Sequence, residues 1–182
     1  MKKFLLMLVL FVVILGGAYF GYNKLSVEYS PETVTNSIEN SDAEMADDIT
    51  VKNLAGEEVK LSDYFGKPII LNFWATWCGP CQAEMPDFDE AYAKYGEEIE
   101  FMMVNQTDGS QDTVESASAF IEEAGYSFPI YFDTTLKAAV TYHVTSIPRT
   151  IFINADGTVL AEYKGMMSAE VLQEHINMLL GE

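Results

Sequence analysis

The apolar positions of this chain change period several times, and each change marks an element. Phe4 to Tyr22 runs apolar without a charged residue, behind Met1-Lys2-Lys3 and ahead of Asn23-Lys24. A run of that length can cross a bilayer as one helix, and the leading lysines hold its N-terminus in the cytoplasm. Leu25 to Asp47 loses the apolar period and carries Glu28, Glu32, Glu39, Asp42, Glu44 and Asp47 without a base, which reads as a solvated tether. Alternation begins at Ile49-Thr50-Val51-Lys52-Asn53 and resumes at Glu58-Val59-Lys60-Leu61 around Ala55-Gly56, predicting a β-hairpin. Ser62-Asp63-Tyr64 then reads as a single helical turn, ended by Gly66 and Pro68.

The unbroken apolar run Ile69-Ile70-Leu71-Asn72-Phe73-Trp74 predicts a buried strand. A helix of roughly Gly79 to Tyr95 follows, bent by Pro86, and then a second buried strand over Ile99 to Asn105. Strand, helix and strand in this order predict a parallel βαβ unit. Val114, Ala117, Phe120, Ile121 and Ala124 lie on one helical face within Gln111 to Gly125. A strand around Phe128 to Phe132 and a short helix from Thr135 to Tyr142 come next. The β-branched strand after Pro148 meets a returning strand, Val159 to Tyr163, across Asn154-Ala155-Asp156-Gly157-Thr158, where Asp-Gly signals a two-residue turn. Ser168 caps a final helix through Leu180, with Val171, Leu172, Ile176, Leu179 and Leu180 on its apolar face.

These elements parse the chain as a membrane segment over 1–24, a tether over 25–47 and one α/β domain over 48–182. With 182 residues, 49% of them apolar, a single core of ordinary size is what the chain can bury. A formal charge of −18 argues against nucleic acid as a partner, since phosphate binding relies on clustered Lys and Arg. The N-terminal run also admits a cleaved signal peptide, with its apolar region from Phe4 to Leu15 and cleavage near Gly16-Gly17-Ala18. No Cys lies near position 20, so there is nothing for a lipid to acylate.

The candidate chemistry sits between the first buried strand and its helix, where Cys78-Gly79-Pro80-Cys81 holds both cysteines of the chain. With the second thiol one helical turn after the first, the sulfurs can meet at bonding distance and cycle between dithiol and disulfide. Cys78 falls at the open N-terminus of the helix, where unpaired N–H groups favour a thiolate, so it is the attacking thiol. Cys81 would resolve the mixed disulfide and must lose a proton to do so. A zinc site would need two more ligands, and the imidazoles of His143 and His175 are not in a finger spacing. A purely structural bond across so short a loop restrains little of the unfolded chain. Glu84, three residues after Cys81, shares its helix face and either takes that proton or is an ordinary surface acid. Trp77 and Trp74 are each either site covers or core filler, and a lone His143 is more often structural.

The segment Asn72-Phe73-Trp74-Ala75-Thr76-Trp77-Cys78-Gly79-Pro80-Cys81-Gln82-Ala83-Glu84-Met85-Pro86 resembles the active-site segment of the thioredoxin superfamily, in its TlpA/ResA-like membrane-anchored branch. Leu61 to Pro68 and Ser146-Ile147-Pro148 extend the likeness from about Ile49 to the C-terminus. The resemblance implies a thioredoxin fold, a central mixed β-sheet flanked by helices, with an N-terminal hairpin and a TlpA-type helix–strand insertion, here the segments after Gln111. It implies that Pro148 is a cis-proline beside the thiols. It places Trp77, Gly79, Pro80, Ile147 and Pro148 on the substrate side, and Glu84 in the active-site cavity. The buried Asp that many thioredoxins carry falls on Asn72, which cannot take a proton.

The expected activity is thiol–disulfide exchange on the outer face of a cell membrane, reducing the disulfides of envelope or secreted proteins, with no cofactor beyond the Cys78–Cys81 pair and no metal. The alternative location is secretion after signal cleavage. Because the outer face lacks a soluble reducing pool, a reductant there needs a membrane thiol donor, CcdA/DsbD-like by resemblance. Its partners are protein disulfides, apocytochrome c among them by resemblance. The rivals are a disulfide-forming oxidant, a peroxidase, whose Pro-x-x-x-Thr-x-x-Cys frame is absent, and a tethered binding module in which the thiols are incidental.

Overall fold

The structure, a computed structural model, describes residues 44–182. The apolar run Phe4 to Tyr22 and most of the acidic tether lie outside the described residues, and no helix among those described is long and apolar enough to cross a membrane. The elements are β1 (Thr50–Lys52), β2 (Glu58–Lys60), a 3₁₀ turn (Leu61–Tyr64), β3 (Ile69–Trp74), α1 (Gly79–Tyr95), β4 (Glu100–Asn105) and α2 (Val114–Ala124). They continue with β5 (Ile130–Phe132), α3 (Lys137–Thr141), β6 (Arg149–Ile153), β7 (Val159–Lys164) and α4 (Ala169–Leu180). The seven strands form one sheet in the order β2-β1-β5-β4-β3-β6-β7. β3, β4 and β5 are parallel, while β1, β2, β6 and β7 pair antiparallel with their neighbours. This is the mixed sheet that the resemblance implies.

Each residue of β3 is buried, as its unbroken apolar run requires of a strand covered on both faces. Ile70 and Trp74 point into a core with Phe101, Met103 and Phe152, closed by Phe88 of α1, Ile121 of α2 and Ile176 of α4. Leu71 and Phe73 point the other way, toward Leu61, Tyr131, Ile151 and the Ala138–Tyr142 segment. Register then decides where the chemistry lies. Trp74 pairs with Asn105 and Phe73 with Arg149, so the C-terminal ends of β3 and β4 and the start of β6 share one edge of the sheet. The turn into α1 leaves from that edge.

Several elements differ from the sequence reading in extent. Ala124 is exposed on α2, whose buried residues are Ala117 and Ile121. α3 is shorter than expected because Leu136 and His143, at its two ends, take left-handed backbone with φ of 56° and 50°. His143 there closes the helix, with its N–H donating to the Val140 carbonyl and that of Val144 to Ala139. The β6–β7 connection has the bounds read from the sequence. Asp156-Gly157 is part of a five-residue connection, Asn154–Thr158, in which Gly157 donates to the Asn154 carbonyl and Asn154 to that of Thr158. Glu44 to Asp47, whose acids place them in the tether, pack on this connection: Ala46 N–H donates to Gly157 and Val159 N–H to Glu44.

Candidate active site

Cys78 is the N-cap of α1, with extended backbone and Pro80 in the first turn behind it. Its Sγ accepts the Cys81 N–H at 3.2 Å. No acid occupies that first turn, so the free N–H groups and the positive end of the helix dipole act on Cys78 without a competing charge. The two cysteines form a disulfide with Cα atoms 5.2 Å apart. Both are buried, Cys81 more completely. On reduction this arrangement stabilises a thiolate at Cys78 and leaves Cys81 one turn deeper.

Glu84 is not a surface acid. It is 2% exposed, on the α1 face that also buries Cys81, Met85 and Phe88. Its Oε1 accepts Asn72 Nδ2 at 3.1 Å and its Oε2 accepts the Met167 N–H at 2.9 Å. The same Asn72 amide donates to Thr150 Oγ1 at 3.0 Å. Burial pushes the carboxyl from 4.5 up to about 7, Asp87 adds to the rise, and the hydrogen bonds from Met167 and Asn72 oppose it. A carboxyl poised there can take and return a proton at neutral pH.

The Ile147–Pro148 bond is cis. Pro148 is buried and Ile147 half-buried, while Gly79 and Pro80 are exposed and Trp77 is 51% exposed. Trp74, in contrast, is fully buried and packs 5.9 Å from Phe120, so it is core. The β7–α4 loop joins the two halves of the site. Gly165 N–H donates to the Pro148 carbonyl at 2.9 Å and Met167 N–H to Glu84, and between them Met166 stands 54% exposed. Sequence reasoning missed this loop and Thr150. Thr150 had a signal, as the one hydroxyl in an apolar strand. Met167 contributes only its main-chain N–H, which no residue type announces. His175 is half-buried, stacked 4.4 Å from Phe152 with Nδ1 on the Val171 carbonyl.

The chain matches the model of the AhpC/TSA family over residues 43–162. The thiol-disulfide oxidoreductase ResA of Bacillus cereus (strain ATCC 10987 / NRS 248) is 32% identical to it over 179 residues, 98% of each chain. Among solved structures, StoA from Bacillus subtilis superposes with a TM-score of 0.62 at 29% identity, covering 74% of this chain and 99% of its own. The pneumococcal exposed lipoprotein thioredoxin of Streptococcus pneumoniae gives 0.63 at 28% identity, covering 73% and 100%. Leu71 and Ala75 stand where a peroxidatic frame before Cys78 would need Pro and Thr.

Proposed function

The chain belongs to the AhpC/TSA family of the thioredoxin superfamily and is a thiol–disulfide oxidoreductase of ResA-like type, and from that premise we propose that it is an extracytoplasmic reductant of protein disulfides. The observation that carries the proposal is a Cys78–Cys81 pair at a helix N-terminus with the buried, neutral-range carboxyl of Glu84 on the same helix face. In the forward reaction the Cys78 thiolate attacks one sulfur of a substrate disulfide, the other leaves as a thiolate, and a mixed disulfide forms. Cys81 then gives its proton to Glu84 and attacks Cys78. The substrate departs as a dithiol and the enzyme keeps the disulfide, so two electrons have moved outward. Trp77, Gly79, Pro80, Ile147 and Pro148 would contact the substrate chain, with the Ile147 main chain pairing against an extended segment.

In this reading Phe4 to Tyr22 is a single membrane anchor, the acidic tether lifts the domain off anionic headgroups, and α2 with β5 is the TlpA-type insertion. A membrane thiol carrier of CcdA/DsbD-like type recharges the pair. The substrates are oxidised envelope proteins, and the Cys-x-x-Cys-His segment of apocytochrome c fits a site that takes an extended chain against cis-proline. No cofactor is needed beyond the pair itself. The test is the redox state of the pair in growing cells, read by rapid acid quenching and thiol alkylation. A reductant stands mainly as the dithiol. A pair standing mainly as the disulfide would mark an oxidant and overturn the proposal.

A further inference from the structure

Thr76 lies two residues before Cys78, in the turn from β3 to α1, and each of its polar groups is held. Its N–H donates to Asp112 Oδ2 at 2.7 Å and its hydroxyl to Asp112 Oδ1, while its carbonyl accepts Gln82 Nε2 from the first turns of α1. Asp112 comes from the β4–α2 connection and is fully buried. Burying a carboxylate is costly unless donors fill its acceptor sites. Here two donors come from Thr76, and the third, Asn105 Nδ2, reaches Oδ2 at 2.8 Å from the end of β4. The Asn105 amide is fixed in turn, because the Thr107 hydroxyl donates to its Oδ1 at 2.9 Å.

The loop that presents Asp112 is itself clamped. Asp108 accepts the N–H groups of Ser110, Gln111 and Asp112, and these bonds hold its carboxyl down to about 2. The Gly109 N–H donates back to the Asp112 carbonyl at 2.8 Å. Trp77, between Thr76 and Cys78, is half exposed and cannot fix the turn by packing. The turn has its own bond, from the Cys78 N–H to the Ala75 carbonyl at 3.2 Å, and Asp112 braces it from behind. We propose that Asp112 is a positioning residue for thiol–disulfide exchange: its buried carboxylate locks the Thr76-Trp77 turn and thereby sets where Cys78 Sγ stands at the end of α1. The proposal uses the exchange activity alone and is independent of the direction of electron flow.

The test measures the rate at which the full-length dithiol protein reduces a small aromatic disulfide, a probe that reads exchange whatever the natural substrate. Asp112→Ala should be at least about tenfold slower. Asp112→Asn should restore the rate to within about twofold. The amide oxygen keeps the bonds from Thr76 N–H and Asn105, and the amide nitrogen donates to a Thr76 hydroxyl turned around. The pH midpoint of Cys78 alkylation should be the same in Asp112→Asn as in wild type, since the role is geometric. Thr76→Val keeps the shape, removes one bond of the set and should slow exchange about threefold, which settles the matter if Asp112→Ala does not fold. A folded Asp112→Ala protein at the wild-type rate, an unaffected Thr76→Val, or an Asp112→Asn protein as slow as Asp112→Ala would overturn the proposal. A shifted alkylation midpoint in Asp112→Asn would do so too, by showing that the carboxylate acts through its charge.

Discussion

At Glu84 the unfolded chain offers a carboxyl of ordinary pKa, 4.5, while the fold holds it at about 7, so the native state binds the proton more tightly than the unfolded state does. Stability from this group is therefore greatest below about pH 4.5 and is lost as pH rises toward 7, by about 3 kcal/mol. Chemical denaturation of wild type and Glu84→Gln across pH 4 to 8 should show that fall in wild type alone. An equal slope in both would remove Glu84 as its source. The same substitution should slow substrate release on the order of 10²-fold at pH 7, because Cys81 loses its proton acceptor. A Cys81→Ser protein should accumulate the mixed disulfide through Cys78 and turn over no substrate, seen as a covalent adduct on non-reducing gels. Spacing alone made the cysteines legible and put Glu84 on the right helix face. It could not tell a buried acid from a surface one, because one of the two groups that hold the Glu84 carboxyl, the Met167 N–H, comes from far along the chain.

The helix that carries the pair is the best-read element, with bounds of Gly79–Tyr95 in both sequence and structure, because a Pro behind its cap and a turn of apolar spacing mark it locally. The β6–β7 connection was read with its bounds, Asn154–Thr158, but not with what lies against it. Asp-Gly signals the turn locally, whereas Met45 and Phe65, which lie beside Gly157, come from elsewhere in the chain. A Cβ on Gly157 would lie 2.8 Å from the Phe65 ring and 2.9 Å from Met45 Cε, at a φ of +88°. Gly157→Ala should cost about 1–3 kcal/mol of stability, from left-handed strain and the displaced ring. A denaturation midpoint equal to wild type would show that the connection rebuilds freely. Ser168, whose side chain accepts the Val171 N–H at the start of α4, should cost about 1 kcal/mol as Ser168→Ala, read in the same experiment.

The whole chain is strongly acidic, at −18, and a charge of that size steers encounters more than it shapes the fold. Reduction of a cationic disulfide peptide should slow roughly tenfold between about 0.01 M and 0.15 M salt, while a neutral peptide changes little. Equal salt dependence for both would deny any electrostatic preference for basic substrates. The mixed sheet was legible as βαβ plus a hairpin, but the strand order was not: β1 joins β5 through the single pair Lys52 and Phe132, a meeting of distant segments that no periodicity encodes. The central claim is that this molecule gives electrons to disulfides, and the equilibrium reduction potential of the Cys78–Cys81 pair tests it most directly. Full-length protein in detergent, equilibrated against defined thiol–disulfide buffers, should give about −250 mV or lower, at the reducing end of the thioredoxin-like range. A value near about −120 mV would contradict the account and make the protein an inserter of disulfides.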